Sequence, residues 1–244
     1  MKIRSLISVS ALCLFVFSAA CHAAPFNLTF SVGPSMPVGD FGEKEDIVEI
    51  GYFGYDATGG GAETGIGFNV ELEVQAARRI YAGGRFGYSR HGADASDIVN
   101  TFLMINGVTE VDANWTFTTL GAFVRVVALQ TPVMSIYGRG GLGASKMKNS
   151  FDVTFPAEEP GGQTATITSD FDLGSQFYFA GTLGLEYRLS ERIHLIGELR
   201  FTNLRSDGAE ATASFMEYSL TGTQAYNTSI FDAVFGVRIP LSGI

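Results

Sequence analysis

Thiols are nearly absent from this chain. Its only two cysteines, Cys13 and Cys21, lie close to the N-terminus, so no disulfide framework can staple the rest. Positive charge is also scarce, with 16 Lys and Arg against 25 Asp and Glu, a balance that argues against nucleic acid as a partner. Beyond residue 24 there is no apolar run approaching the roughly 20 residues that a transmembrane helix needs. Coiled-coil heptads and a convincing amphipathic helix are missing too. What is plentiful is glycine, at 30 residues, and phenylalanine, at 20, a combination that suits a sheet-rich chain with close-packed surfaces.

The one apolar run, Leu6 to Phe17, follows Lys2 and Arg4 and precedes the small residues Ser18, Ala19, Ala20, Cys21, His22, Ala23 and Ala24. This layout predicts a secretory signal over 1–23, cut after Ala23, and a single mature domain over 24–244. Loss of Lys2 and Arg4 would take the formal net charge from -9 to -11. A second reading makes Cys21 the lipid-bearing residue of a lipoprotein, although Ser18 stands where that motif usually carries leucine.

Past Ala24, segments of alternating polarity recur. Eight are expected as strands: Phe26 to Gly33, Gly65 to Ala77, Ile80 to Arg90, Asn114 to Ala128, Met134 to Lys146, Ser175 to Leu189, Ile193 to Leu204 and Thr228 to Leu241. In the second, Phe68, Val70, Leu72 and Val74 alternate with Asn69, Glu71, Glu73 and Gln75, the period of a strand with one polar and one apolar face. The fourth breaks the pattern, because Trp115 and Phe117 are out of phase with Leu120, Ala122, Val124 and Val126; a bulge near Thr118 and Thr119 would restore it.

Connections alternate between tight ones, such as Arg78-Arg79, and long ones over 34–64, 91–113, 147–174 and 205–227. Short turns on one side and long loops on the other are the habit of barrels in outer membranes. An even strand count puts both termini on the short-turn side.

Alternation alone fits either a membrane barrel or a water-soluble one turned inside out. Charge helps to choose. With polar faces inward, the lumen receives Glu71, Glu73, Glu186, Glu198 and Asp232 together with Arg85, Arg125, Arg139, Arg188, Arg200 and Arg238. Such a near balance is what a confined space demands, since an unpaired buried charge is costly. Small residues should then face large ones, with Gly184 near Glu198 and Thr182 near Arg200. Around Arg78-Arg79 one register places Glu73 beside Arg85, and a slip of two residues substitutes Glu71.

The opening Asn27-Leu28-Thr29-Phe30-Ser31-Val32-Gly33 with Pro37-Val38-Gly39-Asp40-Phe41, the run Tyr137-Gly138-Arg139-Gly140-Gly141-Leu142-Gly143, and Gly184-Leu185-Glu186-Tyr187-Arg188-Leu189 resemble the outer-membrane β-barrel domain family. That family holds the small barrels that include the membrane domain of OmpA. The resemblance spans the mature chain. It implies an all-β fold: an eight-stranded antiparallel up-and-down transmembrane barrel with four long extracellular loops and short periplasmic turns. It also implies residence in the cell outer membrane, with outer-membrane lipid and lipopolysaccharide as surroundings and the barrel-assembly machinery as a partner during biogenesis.

Chemistry is sparse. Gly138, Gly140 and Gly143 have dinucleotide-fingerprint spacing but no helix is expected after them, as that motif requires. The two mature histidines, His91 and His194, are expected at opposite ends of the barrel. Ser89, His91 and Asp94 form the only nucleophile-base-acid trio worth naming. Acidic residues concentrate in the long connections, seven against Lys44 in the first and five against Lys148 in the third, where they would meet an extracellular ligand or divalent cations. No catalytic residue, cofactor or metal ligand is assigned. The expected role is a non-enzymatic envelope or surface protein, in adhesion or surface interaction. The alternatives are a narrow solute or ion pore and, third, an enzyme that modifies lipid A.

Overall fold

A computed structural model describes residues 26–42, 46–50, 54–58, 61–93, 110–155, 165–205, 209–215, 218–224 and 227–241. The expected signal, its cut site and Asp94 lie outside these residues. The described chain is nearly all strand: β1 (Phe26–Val38), β2 (Asp46–Ile50), β3 (Gly54–Thr58), β4 (Gly65–Ala77), β5 (Ile80–Ala93), β6 (Glu110–Gln130), β7 (Met134–Phe155), β8 (Ala165–Arg188), β9 (His194–Arg205), β10 (Ala209–Phe215), β11 (Tyr218–Gln224) and β12 (Asn227–Pro240). A 3-10 turn, Gly39–Phe41, follows β1. No helix among the described residues is long and apolar enough to cross a membrane.

Strands β1, β4 to β9 and β12 pair antiparallel in chain order, and β12 returns to β1 to close an eight-stranded barrel. Closure leaves no sheet edge facing lipid, where an unpaired backbone group has no water to bond. The last pairing joins Leu28 to Ile239 and Ser35 to Asp232. Where the two strands cross, a side chain at Gly33 would run into the backbone of Ala233 and Val234, so only glycine lets them approach this closely.

The barrel is inside out relative to a soluble protein. Leu183 is 70% exposed and Leu120 and Phe235 are each 68% exposed, while Glu71, Glu73, Arg200 and Arg238 are buried to within 1%. In water this arrangement would lose the hydrophobic contribution to folding; in lipid it is the favourable one. On β8 the outward apolar residues run from Tyr187 to Phe177. At roughly 3.3 Å per residue and a tilt near 40°, that stretch rises about 25 Å, the height of an outer-membrane apolar band.

Two expectations change. The segments read as long loops are partly strand: β7 and β8 remain paired from Lys148–Asp172 up to Phe155–Ala165, leaving only 156–164 between them. These strands outgrow the apolar band, and polarity loses its alternation once both faces meet water, which is why the sequence pattern hid them. Two hairpins, β2–β3 and β10–β11, occupy parts of the first and fourth connections. The bulge expected near Thr118 and Thr119 is also absent. The pairing of β6 with β7 runs unbroken from Glu110 to Val127 and shifts only between Val127 and Leu129. Trp115 and Phe117 therefore share the inward face with Phe123 and Arg125.

The turn at Arg78-Arg79 settles the other open register. Arg79 has φ of 109°, a conformation that non-glycine residues seldom adopt, and pairing is irregular between Gln75 and Ala77. Beyond that irregularity Glu71, not Glu73, stands opposite Arg85, and Glu73 faces Gly83.

Candidate functional site

Inward side chains of the barrel divide into two tiers. The lower tier, nearer the short turns, is ionic. Glu73 on β4 receives Arg125 of β6 in a fork, at 2.6 Å from Nη2 and 3.0 Å from Nε. Its Oε1 also accepts the Asn27 amide at 3.1 Å. Glu186 on β8 takes Nη1 of the same arginine at 3.0 Å, and it also holds Arg238 of β12 and Nδ1 of His194. One row higher, Glu71 bridges Arg139 at 2.6 Å and Arg200 at 3.2 Å. Glu198 pairs with the same two arginines, at 2.9 Å each, and accepts the Tyr137 hydroxyl at 2.7 Å.

The arginine planes are covered as well as paired. Arg125 lies over Tyr81 at 4.0 Å, and Arg139 over Phe123 at 4.4 Å, contacts that suit a guanidinium better than an ammonium. Space for these side chains comes from small inward neighbours. Gly184 pairs with Tyr137 on one side and Glu198 on the other, and a side chain there would collide with the tyrosine ring. Thr182 stands beside Arg200.

Of the eleven charged residues placed in the lumen by sequence, eight form this network: Glu71, Glu73, Glu186, Glu198, Arg125, Arg139, Arg200 and Arg238. Asp232 sits at its upper edge, 4.0 Å from Arg200, and accepts the Ser35 hydroxyl at 2.6 Å. Arg85 is buried but bonds to no carboxylate among the described residues; its guanidinium lies over the Tyr178 ring at 5.4 Å. Arg188 departs from the expectation of a filled lumen. It is exposed at the mouth beside the short turns, where it lines an open cleft with Tyr81, Arg125, Glu186 and His194. The strand has run out of barrel at that point, so an inward phase no longer means an enclosed side chain.

The upper tier is apolar, and the sequence reading missed it. Trp115 and Phe117 of β6, Met147 of β7, Tyr178 and Ala180 of β8, Leu204 of β9 and Ile230 of β12 form one buried cluster. The 3-10 turn after β1 drops Phe41 into it, edge-on to Trp115 and Phe117 with ring centres 5.4 Å apart in both cases. Backbone bonds fix the turn there: the Ala62 amide donates to the Phe41 carbonyl at 3.1 Å. The available signal was the unbroken odd-numbered phase from Ala113 to Val127, hidden by the assumption that everything inside is polar.

His91 is fully buried under this plug. Its Nδ1 lies 3.1 Å from the Glu63 carbonyl and its Nε2 lies 3.3 Å from Ser89 and 3.4 Å from Ser35. Ser89 and His91 are thus together, but the acid that joins them, through Ser35, is Asp232. His194, bonded to Glu186, is at the other end of the barrel. No group of side chains able to hold a metal is found among the described residues.

A closed barrel with an apolar exterior and a packed ionic lumen defines the class: a protein that spans an outer membrane with strands. The chain belongs to the outer membrane protein beta-barrel domain family, whose model matches residues 9–238, and its place is the cell outer membrane. A search of the curated proteins finds no match. Among solved structures it is similar to a major outer membrane protein from Thermus thermophilus, at 12% identity and a TM-score of 0.55, covering 90% of this chain and 100% of that one. It is also similar to Ail, the attachment invasion locus protein of Yersinia pestis, at 13% identity and a TM-score of 0.45, covering 90% and 99%. For neisserial surface protein A the values are 11%, 0.41, 88% and 96%. At such identities the likeness describes the fold alone.

Proposed function

We propose that this protein is a non-enzymatic surface protein of the outer membrane, in which a sealed barrel anchors and displays an acidic extracellular structure. The observation that carries this reading is the filled lumen: arginines and glutamates from six strands join across the axis, and an apolar plug covers them. An eight-stranded barrel has an interior only wide enough for side chains, and among the described residues these leave only small separate cavities. The acidic residues concentrated in the four long connections read from the sequence suit a basic partner or divalent cations. Enzymatic use of Ser89 and His91 is disfavoured because Phe41 and Phe117 pack edge-on against the imidazole, which is fully buried.

Planar-bilayer recording of purified, folded protein tests the sealed lumen, with only small and intermittent conductance expected. Large, stable, anion-selective steps abolished by Arg139→Ala would establish a pore instead. Assay of the same preparation for lipid A modification, with His91→Ala as control, addresses the enzyme. An activity lost in that variant would overturn the non-enzymatic reading.

A further inference from the structure

The outward face of β5, β6 and β7 changes character abruptly at the top of the apolar band. The last apolar cross-strand row is Phe86–Leu120–Ala144–Phe177; the next is Tyr88–Thr118–Lys146–Ser175, and the one above it is Arg90–Thr116–Lys148–Asp172. Three cations, Arg90, Lys146 and Lys148, thus stand together on neighbouring strands with the hydroxyls of Thr116 and Thr118 between them. Strands are about 4.8 Å apart and alternate residues about 7 Å. Arg90 and Lys148 therefore flank Thr116 at about 10 Å from each other, a span that flexible side chains close around an anion of phosphate size.

This concentration runs against the bias of the chain, which is acidic overall and above all in its extracellular connections. It is also anchored. Arg90 Nε donates to the Asn114 side chain at 3.1 Å, which orients the guanidinium and leaves its two terminal amino groups for another acceptor. Lys146 is held by Asp172 at 2.7 Å. Asp172 and, through Asn114, Asp112 set two carboxylates against three cations, which leaves the cluster positive. Below it lie Phe86, Leu120 and Phe177, outward and exposed, while Phe68 and Tyr88 flank it at the height of Lys146 and Ile66 at the height of Arg90.

We propose that Arg90, Lys146 and Lys148, with Thr116 and Thr118, form a binding site for the phosphate of a lipid headgroup in the outer leaflet. Position selects the lipid. The apolar residues immediately beneath are immersed in acyl chains, so a ligand seated on the cations must carry its charge at the membrane surface and its hydrocarbon below. A phosphorylated glycolipid or phospholipid does so, with two or three charge-assisted hydrogen bonds to the phosphate and hydrocarbon against Tyr88 and Leu120. A soluble acidic protein would have to displace that lipid to reach the same place.

The test uses the full mature chain, folded in detergent, with bisphosphorylated lipid A and its dephosphorylated form as probes, and native mass spectrometry to count retained lipid. The phosphorylated form should be retained at least ten times more strongly than the dephosphorylated one. The triple variant Arg90→Gln, Lys146→Gln, Lys148→Gln should lose that preference while keeping its heat-modifiable, folded mobility, since all three side chains point away from the lumen. Equal retention of both lipids by the unaltered protein, or an undiminished preference in the folded triple variant, would overturn the proposal. Inorganic phosphate at millimolar concentration should not displace the lipid; displacement would make this a site for free anions. If the triple variant fails to fold, Lys148→Gln alone, expected to weaken the preference severalfold, decides the matter.

Discussion

The lower and upper halves of the lumen face one requirement, to fill a closed barrel too narrow for bulk water, and meet it with opposite chemistry. Below, four glutamates and four arginines interlock, and each carboxylate serves at least two cations. Above, Trp115, Phe117, Met147, Leu204 and Ile230 pack around Phe41 as in an ordinary protein core. The difference teaches where specificity resides. An ionic network admits one arrangement, because a displaced partner leaves a buried charge behind, whereas an apolar cluster tolerates repacking. A slipped register is therefore penalised most heavily in the lower half, and the upper half contributes stabilisation that is less demanding of geometry and ties the first connection to the barrel.

The hardest blow to this comparison should come from Glu71→Ala, which leaves Arg139 and Arg200 to share Glu198 alone in the lower tier. A loss of about 3 to 5 kcal/mol is expected, measured by urea unfolding from phospholipid vesicles; a loss below about 1 kcal/mol would show that water already solvates the network. Next, Leu183→Arg sets the lipid face against the lumen at the same height, and should cost about 2 to 4 kcal/mol near the bilayer midplane. Thr182→Arg, pointing inward, is its partner measurement, and an equal or larger loss there would mean that the lumen has no room to adjust. In the upper tier Leu204→Ala should cost about 2 to 3 kcal/mol, towards the low end for a buried leucine because Phe41 can settle into the space. A value matching Glu71→Ala would erase the distinction between the tiers. The smallest effect belongs to Lys146→Ala. Its pair with Asp172 leaves the two side chains 48% and 40% exposed, so under about 1 kcal/mol is expected, falling further with added salt.

Legibility from sequence followed the solvent. Where one face meets lipid and the other the lumen, as from Phe68 to Val74 or from Phe177 to Leu189, period-two alternation is enforced and eight strands could be counted. Where both faces meet the same medium, alternation fails. For that reason the upper reaches of β7 and β8 passed for loops, and Trp115 and Phe117, apolar on an inward face that is itself apolar at that height, passed for a change of phase. The charged lumen residues were visible as polar positions of strands, but their partners were not.

The sequence by itself determined the barrel, its eight spanning strands and, within the apolar band, which face of each turns inward, because these depend on the local order of polar and apolar residues. Tertiary structure alone decided that Glu71 bridges Arg139 and Arg200 while Arg85 rests on Tyr178, that Arg188 escapes to the mouth, and that Phe41 closes the top. Those outcomes depend on register, on the height of each residue in a closed barrel, and on contacts between strands far apart in the chain. No local pattern encodes such distances; they exist only once β12 has met β1.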